Sequence, residues 1–177
     1  LFLLVYCYSL FVDGRPVIIK QNRVGLHGKP FSMYKYRTMK NDSHTERDSL
    51  EQLNTHSGPL FKIDDDPRLL KGAKKLRRWS LDELPQFINV LKGDMSVVGP
   101  RPLFVEDSEN FNREYLRRLN VLPGITGLLQ INERNTDDFD IWFKYDLQYL
   151  ENWSIWLDIE IILKTPFSLF KKDIQGK

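Results

Sequence analysis

Ser80-Leu81-Asp82-Glu83-Leu84-Pro85-Gln86 sets two adjacent carboxylates at an expected helix start, and Gly99-Pro100-Arg101-Pro102 follows within the same short segment. Ser80 with Glu83 three places on is the capping-box pattern, in which the serine oxygen accepts from the Glu83 N–H while the glutamate reaches back. Helix building alone explains both residues. It explains Asp82 less well. At the second helical position Asp82 meets unpaired backbone N–H groups and the positive end of the helix dipole, which favour a negative charge there. A carboxylate held in that way is a candidate nucleophile toward phosphorus, as in enzymes that pass through an aspartyl phosphate.

Working outward, Pro85 is tolerated only near a helix start, and Phe87, Ile88, Val90 and Leu91 supply an apolar side before Lys92-Gly93-Asp94 ends the helix. Met95-Ser96-Val97-Val98 suits a buried extended segment. Pro100 and Pro102 fix the backbone on either side of Arg101, so its planar fork can grip a phosphate in bidentate fashion; a rigid turn with a solvated arginine is the plainer reading. From Pro102 to Leu119 the pattern is that of an amphipathic helix, and Pro123-Gly124-Ile125-Thr126-Gly127 is a turn whose glycines allow close backbone approach to a ligand.

Upstream, Val17-Ile18-Ile19 and Phe31 to Tyr36 flank Gly25-Leu26-His27-Gly28-Lys29-Pro30, which reads as a β-hairpin. Alternation puts Lys35 and Arg37 on one face, where two cations can hold a diphosphate or simply meet solvent. From Asn41 to His56 the chain is polar, with Leu50 and Leu53 spaced as a weak helix. Asp64-Asp65-Asp66-Pro67-Arg68 admits a hard-cation site, but Asp66 before Pro67 is also an N-cap with proline at the first helical position, which starts a helix through Lys71 to Trp79. Lys71, Lys74, Lys75, Arg77 and Arg78 crowd that segment and can face phosphates, lipid headgroups or water.

At 177 residues and 41% hydrophobic, the chain suits one core and is too short for two ordinary domains. A single cysteine, Cys7, excludes a disulfide framework, and His27, His44 and His56 lie far apart in polar surroundings, so no Cys/His spacing matches zinc. The net charge of +2 does not signal nucleic-acid binding, and neither an RNA-recognition ribbon nor a zinc finger is present in the sequence. Leu1 to Val12 is almost wholly apolar but far short of the ~20 residues of a spanning helix, which suits a core helix or a re-entrant segment. At the other end Trp142, Phe143, Tyr145, Tyr149, Trp153, Trp156, Phe167 and Phe170 accumulate with Lys144, Lys164, Lys171 and Lys172, a mixture open to two readings: core packing, or an interfacial helix with rings at headgroup depth.

Taken in order, the Ser80 to Gln86 stretch, Lys92-Gly93-Asp94-Met95-Ser96, Gly99-Pro100-Arg101-Pro102 and Pro123-Gly124-Ile125-Thr126-Gly127 resemble the bacterial sugar transferases, the monotopic polyprenyl-phosphate phosphoglycosyl transferases. Arg23-Val24-Gly25, Lys35-Tyr36-Arg37-Thr38-Met39, Asp65-Asp66-Pro67-Arg68, Asp158 and Lys164-Thr165 also fit, so the likeness runs from about Pro16 to Thr165. The expected fold is α+β, mainly helical with a short N-terminal hairpin, membrane-associated with C-terminal interfacial helices. The resemblance makes residues 1–12 the trailing part of a re-entrant anchor, its first half absent from this chain, and 13–177 a single catalytic domain.

The same resemblance implies transfer of a sugar 1-phosphate from a nucleotide diphosphosugar, a UDP-sugar, to polyprenyl (undecaprenyl) phosphate, with release of UMP and a covalent phosphosugar on Asp82. Mg2+ would rest on Asp82 and Glu83, while Lys35, Arg37, Arg68, Arg101 and Arg134 contact substrate. Glu83 can instead assist entry of the second phosphate. Glu133 stands where that family usually carries glycine, so a carboxylate beside Arg134 either pairs with it or weakens its grip on the nucleotide. The implied setting is the cytoplasmic face of a bacterial inner membrane, with lipids and downstream glycosyltransferases as neighbours and no nucleic acid. A different class of function, a non-catalytic membrane-binding protein with a basic aromatic face, would need the C-terminal segment but not the Asp82 carboxylate.

Overall fold

Residues 1–40, 52, 63, 66–108, 111, 113–133, 136 and 138–170 are described by a computed structural model of the chain. The apolar N-terminus is helix α1 (Phe2–Asp13), ended by Gly14 at φ 70°, a left-handed value that glycine adopts without a Cβ penalty. Strands β1 (Ile18–Val24) and β2 (Pro30–Tyr36) form the expected antiparallel hairpin, in register from Ile18 opposite Tyr36 to Val24 opposite Pro30. A tight turn, Leu26–Gly28, joins them. Val5 of α1, Val17, Tyr36 and Leu76 make one buried cluster, and the Tyr36 hydroxyl donates to the Phe2 carbonyl at 2.9 Å.

The helix expected from Asp66-Pro67 starts later. Helix α2 (Ala73–Arg78) begins behind Gly72, and Asp66 turns its carboxylate onto the Arg68 amide and guanidinium instead. A charged fork two residues on satisfies both carboxylate oxygens, which a single capping bond does not. The capping box at Ser80 is also absent. Ser80 stands at φ 53°, ψ 22° with no side-chain cap bond; a short 3-10 turn (Leu81–Glu83) follows, and α3 (Gln86–Lys92) starts separately behind Pro85. Glu83 is drawn toward Arg101 rather than back to Ser80, and Pro85, lacking an N–H, cannot carry one helix through both pieces.

Strands β3 (Ser96–Val98) and β4 (Gly124–Thr126) pair in parallel, Ser96 opposite Gly124 and Val98 opposite Thr126. The stretch expected to be a ligand-facing turn is therefore mostly strand, and its glycines admit backbone, not ligand. A Cβ on Gly124 would lie 2.7 Å from the Gly99 Cα, and one on Gly127 2.6 Å from the Gly99 carbonyl oxygen. Between the strands, Pro102 to Leu119 is not one amphipathic helix. It forms α4 (Val105–Ser108) and a separate 3-10 turn (Tyr115–Asn120), because Arg118, on what would be its polar face, is buried against another element.

Helix α5 (Leu128–Asn132) leads to α6 (Phe139–Glu151) and α7 (Ile155–Ser168). The C-terminal aromatics divide between the two readings. Phe139, Trp142, Phe143 and Tyr149 are buried, Phe139 and Trp142 with Leu103 and Leu129, and Tyr149 with Val98, Ile131 and Ile161. Trp153, Trp156, Phe167 and Phe170 are exposed. The described residues thus form a mixture of helices with two small sheets, and among them no helix is long and apolar enough to cross a membrane.

Candidate active site

Leu81 and Leu84 pack on the cluster around Val5 and Leu76, which fixes the 3-10 turn and leaves the two carboxylates between them to face polar partners. Lys35, near the end of β2, reaches Asp82 at Nζ–Oδ2 2.9 Å, with side chains 12% and 4% exposed. Arg101 reaches Glu83 at Nη2–Oε1 2.9 Å; its side chain is 34% exposed against 9% for the glutamate. Asp82 is therefore held by a cation from the hairpin, not by the amides of a helix start. It is also nearly covered, but by charge rather than by hydrocarbon.

Arg77 is the residue that sequence reasoning did not single out. It lies within electrostatic reach of Asp82, Asp66, Glu83 and Arg101, and burial pushes its guanidinium below the ordinary value while Asp82 and Asp66 oppose the shift. Its four basic neighbours, Lys71, Lys74, Lys75 and Arg78, are exposed. The signal in the sequence was its place directly after Leu76, a buried apolar residue of α2, five positions before Asp82.

Two ion pairs, Lys35–Asp82 and Arg101–Glu83, thus stand side by side, with Arg77 in electrostatic reach of both carboxylates and of Asp66. Burial lowers the Lys35 ammonium from its ordinary value; Asp82 pulls the other way and Arg77 adds to the fall. Glu83 holds the Arg101 guanidinium above its usual value. Partly desolvated cations beside a carboxylate are a setting that can take an anionic ligand and bring it against a nucleophile.

The remaining expected residues separate. Arg37 is buried at the end of α1, donating from Nε to the Pro16 carbonyl at 2.7 Å and from Nη2 to the Asp13 and Arg15 carbonyls. It braces the connection from α1 to β1 and does not join the site. Arg68 is buried in its fork with Asp66, Nη2–Oδ2 2.6 Å. Arg134, Asp64 and Asp65 lie outside the described residues, as do the weak helix around Leu50 and the histidines His44 and His56. Asp158 accepts from the Tyr149 hydroxyl at 2.9 Å and the Trp153 indole at 3.3 Å, joining α6 to α7, and Thr165 bonds Thr126 of β4 at 2.8 Å.

A magnesium ion usually rests on one or two carboxylates and completes its shell with water and substrate phosphate. Asp82 and Glu83 are adjacent, close to each other's cations, and supply those two carboxylates; among the described residues no group of three or more His, Cys, Asp or Glu forms a dedicated metal cage. The residues present fit an ion shared with a phosphate ligand.

The model of the bacterial sugar transferase family matches residues 1–172. The galactosyl transferase CpsE of Streptococcus agalactiae is 52% identical over 154 residues, covering 86% of this chain and 34% of that protein. The undecaprenyl-phosphate galactose phosphotransferase of Salmonella typhimurium is 39% identical over 97% of this chain and 37% of its own length. The UDP-glucose:undecaprenyl-phosphate glucose-1-phosphate transferase of Escherichia coli is 44% identical over 88% of this chain and 33% of its own length. The chain thus spans about a third of each of these three relatives.

Proposed function

The chain belongs to the bacterial sugar transferase family, and from that footing we propose that it transfers a sugar 1-phosphate from a UDP-sugar to undecaprenyl phosphate, the first membrane step in building an exopolysaccharide, capsule, O-antigen or glycoprotein glycan. The observation that carries the reading is the Asp82–Glu83 pair in one turn, each carboxylate 2.9 Å from a cation that a phosphate would also seek. An Asp82 oxygen attacks the phosphorus bonded to the sugar oxygen; the bond from that phosphorus to the bridging oxygen breaks, and UMP leaves with the bond's electron pair. An oxygen of the lipid phosphate then attacks the same phosphorus, frees the carboxylate, and yields the polyprenyl diphosphosugar.

Before the first attack the diphosphate competes with Asp82 for Lys35, so substrate arrival itself uncovers the carboxylate. Arg101 and Arg77 hold phosphate oxygens and stabilise charge that develops on them. Mg2+, held by Asp82 and Glu83, would neutralise the diphosphate. Lys35 stays protonated through both steps and returns to Asp82 when the lipid product departs.

The acceptor's chain sits in a bilayer, and the exposed apolar residues of α1 and α7 support a monotopic seat on the cytoplasmic face of the inner membrane, with lipids and later glycosyltransferases close by. Intact-mass measurement after mixing the protein with UDP-sugars, without acceptor, tests the mechanism. The expected result is one added phosphosugar, lost on adding undecaprenyl phosphate and absent in Asp82→Asn. UMP release from Asp82→Asn at the unmutated rate would refute the nucleophile.

A further inference from the structure

Arg101 reaches Glu83 from a clip whose prolines fix φ but do not anchor its peptide groups to the rest of the fold. Backbone bonds to β4 anchor its first two residues, the Gly99 N–H donating to the Thr126 carbonyl and the Gly124 N–H to the Pro100 carbonyl, both at 2.9 Å, and two arginines anchor the two carbonyls that follow. Arg118 donates from Nη2 to the Arg101 carbonyl at 2.8 Å, and Arg23 donates from Nη1 to the next carbonyl, that of Pro102, at 3.2 Å. Arg118 is the more tightly constrained. Its Nε and Nη2 also lie 2.8 and 2.7 Å from Asp146 Oδ2 of α6, and the two side chains are only 3% and 5% exposed.

A buried ion pair contributes little net stability compared with apolar residues of the same volume, so stability alone is a weak reason for this one. Its geometry offers a better reason. The guanidinium is planar and five-donor: with Asp146 fixing the Nε–Nη2 edge, the direction of the second Nη2 N–H is set, and it meets the main chain of the residue that presents its own fork to Glu83. We infer that Arg118, locked by Asp146, is a positioning residue that aims Arg101 at the phosphate subsite, and that α6 thereby contributes to donor binding without touching the donor. The inference rests on the phosphate role proposed for Arg101.

The test is a binding cycle on the purified full chain with inorganic diphosphate as probe, followed by calorimetry, with thermal melting recorded for every variant. Arg118→Met combined with Asp146→Leu removes both charges at similar volume and is expected to melt close to the parent. It should nevertheless bind diphosphate ~10-fold more weakly, as misplacing a binding group does. Arg101→Ala should cost about the same, and adding it to the charge-free pair should weaken binding no further, because coupled residues are not additive.

Arg118→Lys, run in parallel, keeps a cation facing Asp146 but lacks the second edge of the fork, and should show the same loss. Parent-like diphosphate affinity in whichever of these two Arg118 variants folds, or losses that add in full to that of Arg101→Ala, would overturn the inference. If Arg101→Ala binds like the parent, the phosphate role and the inference fall together. If the cycle behaves as expected while the parent releases no UMP from UDP-sugars with undecaprenyl phosphate, the proposed function fails and the positioning role stands.

Discussion

Lys35 stands 2.9 Å from Asp82, and the proposed mechanism passes it to a phosphate during turnover, so both partners would require its charge. Burial has moved its ammonium below the ordinary 10.5, so it is uncharged at a pH where a solvated lysine is still protonated. The kcat/KM profile for the nucleotide sugar should therefore fall on an alkaline limb that sets in below pH 10.5, and Lys35→Arg should erase that limb, since a guanidinium stays charged throughout. Lys35→Met should lower kcat/KM at every pH by ~100-fold, the usual cost of removing one preorganised electrostatic contact. An unchanged limb in the arginine variant would assign the titration to another group. Lys35 was legible in the sequence because strand alternation sets its face. Arg37 was not, since its partners are the carbonyls of Asp13, Arg15 and Pro16, which only the tertiary fold brings there. Arg77 shows the converse: a basic run reads as one patch until the helix turns one of its members inward.

Elements were easiest to read where one local rule governs them. The hairpin followed from alternation and the Gly-rich turn, and its register matches. The helices expected after Asp66 and Ser80 formed with later starts and the one expected from Pro102 broke in two, and in each a side chain given a capping or solvent role, Asp66, Glu83 or Arg118, is instead paired with a charge. At Gly124 the residue type was readable and its purpose was not. Glycine there lets β4 run against Gly99, the residue that opens the Pro100 clip. Gly124→Ala should accordingly be destabilising by at least ~1–3 kcal/mol, the range for overpacking, because the atoms it meets are backbone and cannot rotate away. It should also weaken diphosphate binding by moving the strand that carries the clip. Urea midpoints and the same calorimetry check both effects; a stable variant with intact binding would show that the two strands can separate freely.

At the scale of the whole molecule, the basic segment that sequence reading left open between phosphate, lipid and water is divided by the fold. Arg77 is half-buried within electrostatic reach of the carboxylates, whereas Lys71, Lys74, Lys75 and Arg78 stay exposed. Helix α2 lies between two apolar exposures. On one side Gly72 bonds to Asp13 and Leu76 packs with Val5, which joins α2 to α1 and its exposed Leu3, Leu4 and Phe11. On the other side Trp79 meets Phe170 edge to face at 5.5 Å, next to the exposed Phe167 of α7. Exposed apolar residues flanking a row of cations suit a bilayer with anionic headgroups, where each basic residue near the surface contributes about 1 kcal/mol. Replacing Lys74, Lys75 and Arg78 together by glutamine should therefore weaken binding to vesicles rich in anionic phospholipid by about 3 kcal/mol, roughly 100-fold, and leave binding to neutral vesicles unchanged. Rising salt should reproduce the loss in the parent, because exposed charges are screened. Trp156→Ala with Phe167→Ala should reduce binding to both kinds of vesicle alike, since apolar burial does not depend on headgroup charge. Equal binding of the parent to neutral and anionic vesicles would confine the basic row to solvent and leave the apolar helices alone to seat the protein.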